Sequence, residues 1–195
     1  GYQFLVDHLN AQKRFSEAQR LAASADLDIG LSKEALDGFR SLLIEQSAPE
    51  EAVARVSVDR EGRLSLDLRR LEIETIEWAS GVPFEVVNLS GTGVADLRPL
   101  RNMPLVSLRI ADSPVVDLSP LAGMQLRHLV MSGTSVADLS ELFGMPIREL
   151  NISGTEVTDL AALDGLKDLD ILYMRNVGVE SLEGIGGAQK LSRVD

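Results

Sequence analysis

Four aspartates recur at a constant interval, and a regular row of carboxylates is one arrangement that could bind a divalent cation such as Ca²⁺. They are Asp96, Asp117, Asp138 and Asp159, each 21 residues after the one before. The sequence has neither the Gly-Gly-x-Gly-x-Asp repeat nor the ligand spacing of an EF-hand loop. Each aspartate instead precedes a Leu-x-x-Leu run, where its side chain is expected to cap one or two turns of helix. We therefore expect no metal at these positions.

Side chains that commonly serve as nucleophiles, bases or metal ligands are few. The absence of cysteine excludes disulfides, thiolate metal sites and thiol nucleophiles, and only His8 and His128 carry an imidazole. No Ser-His-Asp order and no metal partner can be argued around His128. The segment 184–190 is faintly similar to a phosphate-binding loop, but it lacks the required spacing and the Ser or Thr after its lysine. The sequence predicts no catalytic residue and no cofactor.

Length and composition limit the class of protein. With 195 residues, 45% of them hydrophobic and 25% charged, the chain is expected to fold as one domain or as two unequal ones. A formal charge of -11 repels phosphate backbones, so we expect no nucleic-acid partner. No apolar run reaches the roughly 18 residues of a membrane span. Because the chain lacks an initiator Met and ends inside a repeated pattern, we expect both ends to be cut from a longer protein, with Gly1 left from a tag.

The aspartates belong to a longer unit that repeats every 21 residues. In one copy the repeated positions are Leu126, Leu129, Met131, Thr134, Val136, Leu139, Leu142 and Met145. Leu129 and Met131 alternate as a short strand requires, and such strands bury their apolar side only by stacking into a parallel sheet. Other copies begin at Phe84, Leu105, Ile147 and, after a one-residue insertion, Leu169; a degenerate copy precedes them and a truncated one opens at Leu191.

One of the repeated positions carries a hydroxyl where the chain turns away from the strand. A buried hydroxyl must be hydrogen-bonded, so we expect it to bond backbone groups of the turn. Val177 takes this position in the fifth copy, so the turn there should be bonded differently. The hydroxyl residues are Thr92, Ser113, Thr134 and Thr155.

From roughly Arg63 to the C-terminus this pattern resembles the leucine-rich repeat, L-x-x-L-x-L-x-x-N/C-x-L, with Thr or Ser in place of Asn. The short unit and its Val-x-Asp-Leu-x-x-Leu segment are similar to the internalin-like bacterial subclass. The phrase Ser-Gly-Thr-x-Val-x-Asp-Leu-Ser also resembles arrays in bacterial receptor-like Ser/Thr kinases. The resemblance implies an α/β fold, a right-handed solenoid with a parallel sheet. It leaves the compartment open and favours the cell envelope or the exterior of a bacterium.

Residues 1–56 do not repeat, and their pattern predicts helices. The first, amphipathic helix has apolar positions at Phe4, His8, Ala11, Phe15, Ala18, Ala22 and Ala25. Ser32 is expected to cap a second helix, and a short third one should begin at Pro49 and end near Val56. A β-hairpin over 56–66 then leads into the repeats.

Because an open solenoid end exposes apolar core and strand edge, we expect residues 1–56 to form a helical N-terminal cap. Residues 57–195 then form the repeat domain, with about six repeats of which the last is truncated. A separate dimerisation or docking module over residues 1–56 is the alternative.

The outward strand positions form the surface that repeat proteins usually offer to partners, and variable residues gather there in the C-terminal half. Tyr and Arg often anchor interfaces, and both Tyr173 and Arg175 are expected to point to solvent. The predicted partner-binding residues on this concave face are Arg109, His128, Glu149, Asn151, Tyr173 and Arg175.

The favoured function is non-catalytic binding of a protein on this face, with a glycan as a less favoured ligand. A regulatory or scaffolding segment of a larger bacterial signalling protein is the alternative, and a merely solvated sheet face is the simplest interpretation. An enzyme is not expected.

Overall fold

A computed structural model describes residues 33–59, 61–179 and 181–195. The first predicted helix and the Ser32 cap lie outside the described residues. Helix α1 (Lys33–Glu45) and the short helix α2 (Glu50–Val53) precede the sheet. Helix α2 begins directly after Pro49, as predicted, and ends before Val56 because that residue already belongs to the first strand.

Eight strands form a single sheet in which spatial order follows chain order. The first two pair antiparallel as the predicted hairpin, and every later neighbour is parallel, which confirms the predicted solenoid. The strands are β1 (Val56–Val58), β2 (Leu64–Asp67), β3 (Val86–Asn88), β4 (Ser107–Arg109), β5 (His128–Val130), β6 (Glu149–Asn151), β7 (Ile171–Tyr173) and β8 (Arg193–Val194).

The sheet register follows the sequence period. Leu108 pairs with Leu129 and Leu129 with Leu150, so residues 21 apart in the chain lie side by side. Leu150 pairs with Leu172, because the extra residue at the end of the fourth copy is accommodated before β7 begins. The strands are thus held in one register although one repeat is longer.

Among the described residues, five short 3-10 helices connect the strands on the other side of the core, where the Leu-x-x-Leu runs predict one or two turns of helix. A three-residue segment closes i to i+3 hydrogen bonds but is too short for the α-helical pattern. In the second copy, for example, the Leu121 N–H donates to the Leu118 carbonyl at 2.8 Å. These helices are η1 (Glu77–Ala79), η2 (Arg98–Leu100), η3 (Ser119–Leu121), η4 (Ser140–Leu142) and η5 (Ala161–Gly165).

The predicted hydroxyl positions are buried and hydrogen-bonded inside their own turns. Thr134 Oγ1 donates to the carbonyl of Met131 at 2.7 Å, and the other copies use the same bond three residues back. The equivalent bonds join Thr92 to Leu89 at 2.7 Å, Ser113 to Ile110 at 2.6 Å and Thr155 to Ile152 at 2.6 Å. Val177, which has no hydroxyl, is only half-buried.

Each of the strands β2 to β7 leads into a residue with a left-handed backbone, a feature that the sequence pattern did not predict. Gly133 is one of them, and a Cβ there would lie 2.4 Å from Asp112 Oδ1 of the preceding repeat. The set comprises Arg70, Gly91, Asp112, Gly133, Gly154 and Asn176, with φ between 53° and 70°. The chain therefore turns off the sheet in the same way in each copy, with small or amide side chains at most of these positions.

The described part of helix α1 packs against the N-terminal end of the sheet. Phe39 and Leu43 of α1 are buried, and α1 contacts β1. Arg40 strengthens this contact by donating from Nη2 to the carbonyl of Val56 at 2.8 Å. Among the described residues, no helix is long and apolar enough to cross a membrane.

Replacing Thr134 with Val tests the buried hydroxyl bond. The substitution keeps the side-chain shape but deprives the Met131 carbonyl of its 2.7 Å donor. We expect the free energy of unfolding to fall by about 1–2 kcal/mol. Thr158→Val, at an exposed position, should be close to neutral. Urea denaturation of both variants measures the difference, and equal midpoints would contradict the assigned role of the hydroxyl.

Whether the helices and the repeats unfold together can be tested at two neighbouring residues of α1. Leu43 is 0% exposed and Ile44 is 63% exposed. If the helices cap the core, Leu43→Ala should lower the free energy of unfolding by about 2–5 kcal/mol and Ile44→Ala should have little effect. Trp78, the single tryptophan, lies in the repeat region and reports its unfolding by fluorescence. An unchanged Trp78 transition in Leu43→Ala would instead favour an independent helical module.

Candidate binding face

The first and third residues of strands β3 to β7, with the residues that pair with them in β2 and β8, form two outward columns, which we call the strand face. The register places them side by side as predicted, while the middle residues point into the core. The first column is Ser65, Val86, Ser107, His128, Glu149, Ile171 and Arg193. The second column is Asp67, Asn88, Arg109, Val130, Asn151 and Tyr173.

Arg109 is the most available charged group near the middle of the strand face. It lies on β4 between Asn88 and Val130 and is exposed. Within the described residues its guanidinium makes no hydrogen bond or ion pair with another side chain. By contrast, Arg69 at the N-terminal end of the sheet is held by Asp67 through contacts as short as 2.6 Å. Arg109 therefore keeps its full hydrogen-bonding capacity for a partner.

His128 and Glu149 face each other across β5 and β6. The distance from His128 Nδ1 to Glu149 Oε2 is 3.4 Å, and both side chains are partly exposed. The contact is an ion pair only when the imidazole is protonated. The two side chains together present a hydrogen-bond donor next to an acceptor at the surface.

Asn151 has a structural task besides its place on the strand face. Its Oδ1 accepts the N–H of Ser153 at 3.0 Å, as Asn88 does from Ser90 at 3.1 Å three repeats earlier. The carboxamide oxygen is thus committed to the turn after the strand.

Tyr173 and Arg175 do not simply point to solvent, which corrects the expectation from the sequence. The Arg193 guanidinium lies 5.5 Å above the Tyr173 ring, and Arg175 donates from Nε and Nη2 to Asp195 at 3.1 and 2.5 Å. This hydrogen bond holds the pKa of the Asp195 carboxyl below its ordinary value. These contacts form because the truncated last copy makes strand β8, which places Arg193 and Asp195 next to β7.

On the opposite side of the core, the four recurring aspartates close the turns before the 3-10 helices. Asp117 Oδ1 accepts the Ser119 N–H and Oδ2 accepts the Ser119 hydroxyl, both at 2.8 Å. The pKa of Asp117 is lowered by the backbone N–H first and by the hydroxyl second. Asp138 and Asp159 accept the corresponding N–H groups at 2.8 Å, and Asp96 accepts the N–H of Arg98 at 2.9 Å.

These aspartates stand one residue before the formal N-cap of each helix, which is a leucine. They cap the turn, as predicted, from a position shifted by one residue. Among the described residues, no three His, Asp or Glu side chains are placed to hold a metal ion.

The glycines of segment 184–190 are explained by close packing. A Cβ at Gly187 would lie 2.0 Å from the carbonyl oxygen of Asp164, and one at Gly184 would lie 2.4 Å from that of Leu160. The small residues let this loop lie directly on the preceding repeat. They point to packing between repeats and not to a phosphate site.

Three solved structures with a similar architecture come from bacteria. One is an internalin (InlF) of Listeria monocytogenes, with a TM-score of 0.52 and 20% identity over 83% of this chain and 55% of that one. Another is internalin C2 of the same bacterium, with a TM-score of 0.54 and 15% identity over 80% of this chain and 91% of that one. The chain has the internalin-like leucine-rich-repeat fold.

A leucine-rich-repeat protein of Leptospira interrogans is similar as well, with a TM-score of 0.53 and 23% identity over 61% of this chain and 33% of that one. The leucine-rich-repeat chain described here spans about half the length of the InlF chain that it matches. No protein-family model and no curated protein matches the sequence.

Sequence reasoning missed one prominent surface residue of this leucine-rich-repeat array, Phe143. It follows η4 and is 65% exposed. The corresponding positions of the neighbouring copies carry Arg101, Ala122 and Asp164, so a single aromatic residue in a polar or small column was the available signal.

Ser119→Ala tests the assigned role of the aspartates. Removing the hydroxyl should raise the pKa of Asp117 but leave it below the ordinary value, because the backbone N–H still donates. Ionised Asp117 stabilises the folded turn above its unfolded-state pKa, and this contribution is lost as the pH falls through the folded-state pKa. A carboxyl-detected NMR titration measures the midpoint. Ser135→Ala, in a different turn, is the control, and an unchanged Asp117 midpoint in Ser119→Ala would refute the bonding.

Proposed function

We propose that this chain is a non-catalytic protein-binding module and that its partner lies on the concave strand face. The observation that supports this most directly is that the inward and outward positions of the strands differ in how much their residues vary from repeat to repeat. Inward positions repeat the same apolar residues, whereas outward positions change from strand to strand in charge and size. Packing alone requires no such variation outside the core. The proposed contact residues are Arg109, His128, Glu149, Asn151 and Tyr173 of the strand face, together with Arg175, which lies two residues beyond the end of β7.

Arg109, His128 and Glu149 form the proposed centre of the site. They lie on three consecutive strands, which are spaced about 5 Å apart. A free guanidinium, a donor and an acceptor within this distance offer mixed polarity, which suits a protein surface better than a polyanion. Arginine is also among the residues that most often dominate interface energetics.

Tyr173 and Arg175 form the proposed C-terminal flank, and their contacts with the last strand affect how they bind. Because Arg193 covers the Tyr173 ring and Asp195 holds Arg175, both side chains are ordered before a partner arrives. Ordering a side chain in advance reduces the entropy lost on association. Asn151 lies between this flank and the centre.

A glycan is the less favoured ligand, because Tyr173 is the only aromatic residue on the described part of the strand face and its ring is already covered by Arg193. The formal charge of -11 argues against nucleic acid. An enzymatic role would need a nucleophile beside a base, and the strand face offers only the His128–Glu149 pair.

Site-specific photo-cross-linking can identify the partner and its location. A benzophenone amino acid replaces Val130 on the strand face in one variant and Ala95, an exposed residue on the opposite side, in a second. In cells that produce the protein, the Val130 variant should yield a discrete cross-linked product and the Ala95 variant should not. Cross-linking from Ala95 alone would overturn the assigned face.

Charge reversal at Arg109 should then weaken binding of the cross-linked partner. Arg109→Glu removes the free guanidinium, and we expect a loss of at least about 2 kcal/mol, the size of a hot-spot effect. Arg101→Glu, equally exposed but beside the 3-10 helices, changes the net charge identically and serves as the control. Titration calorimetry compares the two. Equal losses would show that overall charge, and not this site, determines affinity.

A further inference from the structure

A recess opens on the side of the core opposite the strand face. It lies between η4 and η5 and has a volume of about 430 Å³. Alanine and leucine form much of its wall, and acidic residues stand at its rim. The lining residues are Ala137, Asp138, Leu139, Ser140, Phe143, Asp159, Ala161 and Ala162.

Phe143 forms one wall of this recess in a fixed orientation. Its side chain is 65% exposed, yet one side of the ring lies against the backbone of Gly165 in the next repeat. A Cβ at Gly165 would be only 2.6 Å from Phe143 Cδ2. The ring is therefore supported on one side and open to solvent on the other. Because neighbouring copies stack with Ala122 or Asp164 at this position, folding does not require an aromatic residue there.

The opposite wall is opened by small side chains. Ala161 and Ala162 occupy positions where the two preceding copies carry Ser119–Pro120 and Ser140–Glu141. A large aromatic residue and a pair of alanines thus occur together at one place in the array. The result is a pocket wide enough for an aliphatic or aromatic side chain.

The rim of the recess is negatively charged and not neutralised. Asp138 and Asp159 each accept a backbone N–H, and neither forms an ion pair with a described cation. Asp96 differs from them, because the Arg98 guanidinium lies 2.6 Å from its carboxylate and offsets its negative charge. The N–H and hydroxyl of Ser140 lower the pKa of Asp138, so its carboxylate is ionised at neutral pH.

We propose that this recess is a second docking surface and that its occupant is a basic amphipathic helix of a protein partner. An apolar side chain of the helix packs between Phe143 and Ala161, and lysine or arginine residues meet Asp138 and Asp159. The helical pitch of about 5.4 Å is close to the repeat spacing of about 5 Å, so one basic residue per turn matches one aspartate per repeat. This surface is distinct from the strand face and leaves that face free.

A synthetic peptide of about four helical turns, with leucines on one face and lysines on the flanks, is the probe. Fluorescence anisotropy of the labelled peptide measures its affinity for the full chain. We expect Phe143→Ser to weaken binding about tenfold or more, and Asp138→Asn combined with Asp159→Asn to do the same. Asparagine retains an oxygen that accepts the turn N–H, so the double variant should fold.

Matched controls separate this site from general attraction to an acidic protein. Ile44→Ser removes another exposed apolar residue, and Glu72→Gln combined with Glu74→Gln, at exposed positions far from the recess, changes the net charge identically. Both should bind the probe like the unmodified chain, and a peptide with glutamate in place of lysine should not bind. If the recess variants and the control variants weaken binding equally, the proposal is wrong.

The absence of cysteine allows a direct test of other occupants. Ala161→Cys places a single thiol in the recess, and Ala95→Cys places one at an exposed position elsewhere. Without probe both should react with maleimide at similar rates, and the lysine peptide should slow only Ala161→Cys. If Ala161→Cys reacts slowly without the peptide and more slowly as the protein concentration rises, a second copy of this chain occupies the recess. If Ala161→Cys reacts slowly at every protein concentration, another part of the same chain occupies the recess. Either result would overturn the proposal.

Discussion

Stacking in a single parallel register is the constraint on which the other features of this molecule depend. A three-residue strand with one inward leucine has no stability by itself, and each copy is stable only against its neighbours. Leu108, Leu129 and Leu150 lie side by side because the chain returns to the sheet at the same point in each copy. The buried hydroxyl of Thr134 and its equivalents fixes that return by bonding the turn from within. As a consequence, equivalent residues of successive copies lie in rows, both on the strand face and on the opposite side that carries the 3-10 helices.

Much of this arrangement follows from the sequence because a constant period determines both neighbours and sides. The spacing predicted that His128 lies beside Ser107 and Glu149, and it predicted the buried hydroxyl bonds. It did not predict the 3-10 geometry, which depends on how little chain remains between strands. Nor did it predict the left-handed backbone of Asp112, because aspartate adopts that conformation less often than glycine.

Contacts that break the repeat were harder to predict. Arg175 was expected to point to solvent; it is exposed, but it also pairs with Asp195, because the truncated copy forms a strand that brings these residues together. The recess beside Phe143 arises from departures in two neighbouring copies, Phe143 in one and the alanine pair Ala161 and Ala162 in the next. Each is unremarkable by itself, and only their proximity gives the surface its shape. Repetition therefore predicts the scaffold well and predicts departures from it poorly.

The extra residue before β7 has a consequence for how such a chain changes over generations. The insertion lengthens the path from η5 to β7 but leaves the pairing of Leu150 with Leu172 intact. Irregular copying of the gene is therefore tolerated as long as it falls between strands. Duplication of 21 codons would add one strand, one buried hydroxyl and one aspartate together. An ancestor of modest length could grow by this route while each new copy acquired its own outward residues.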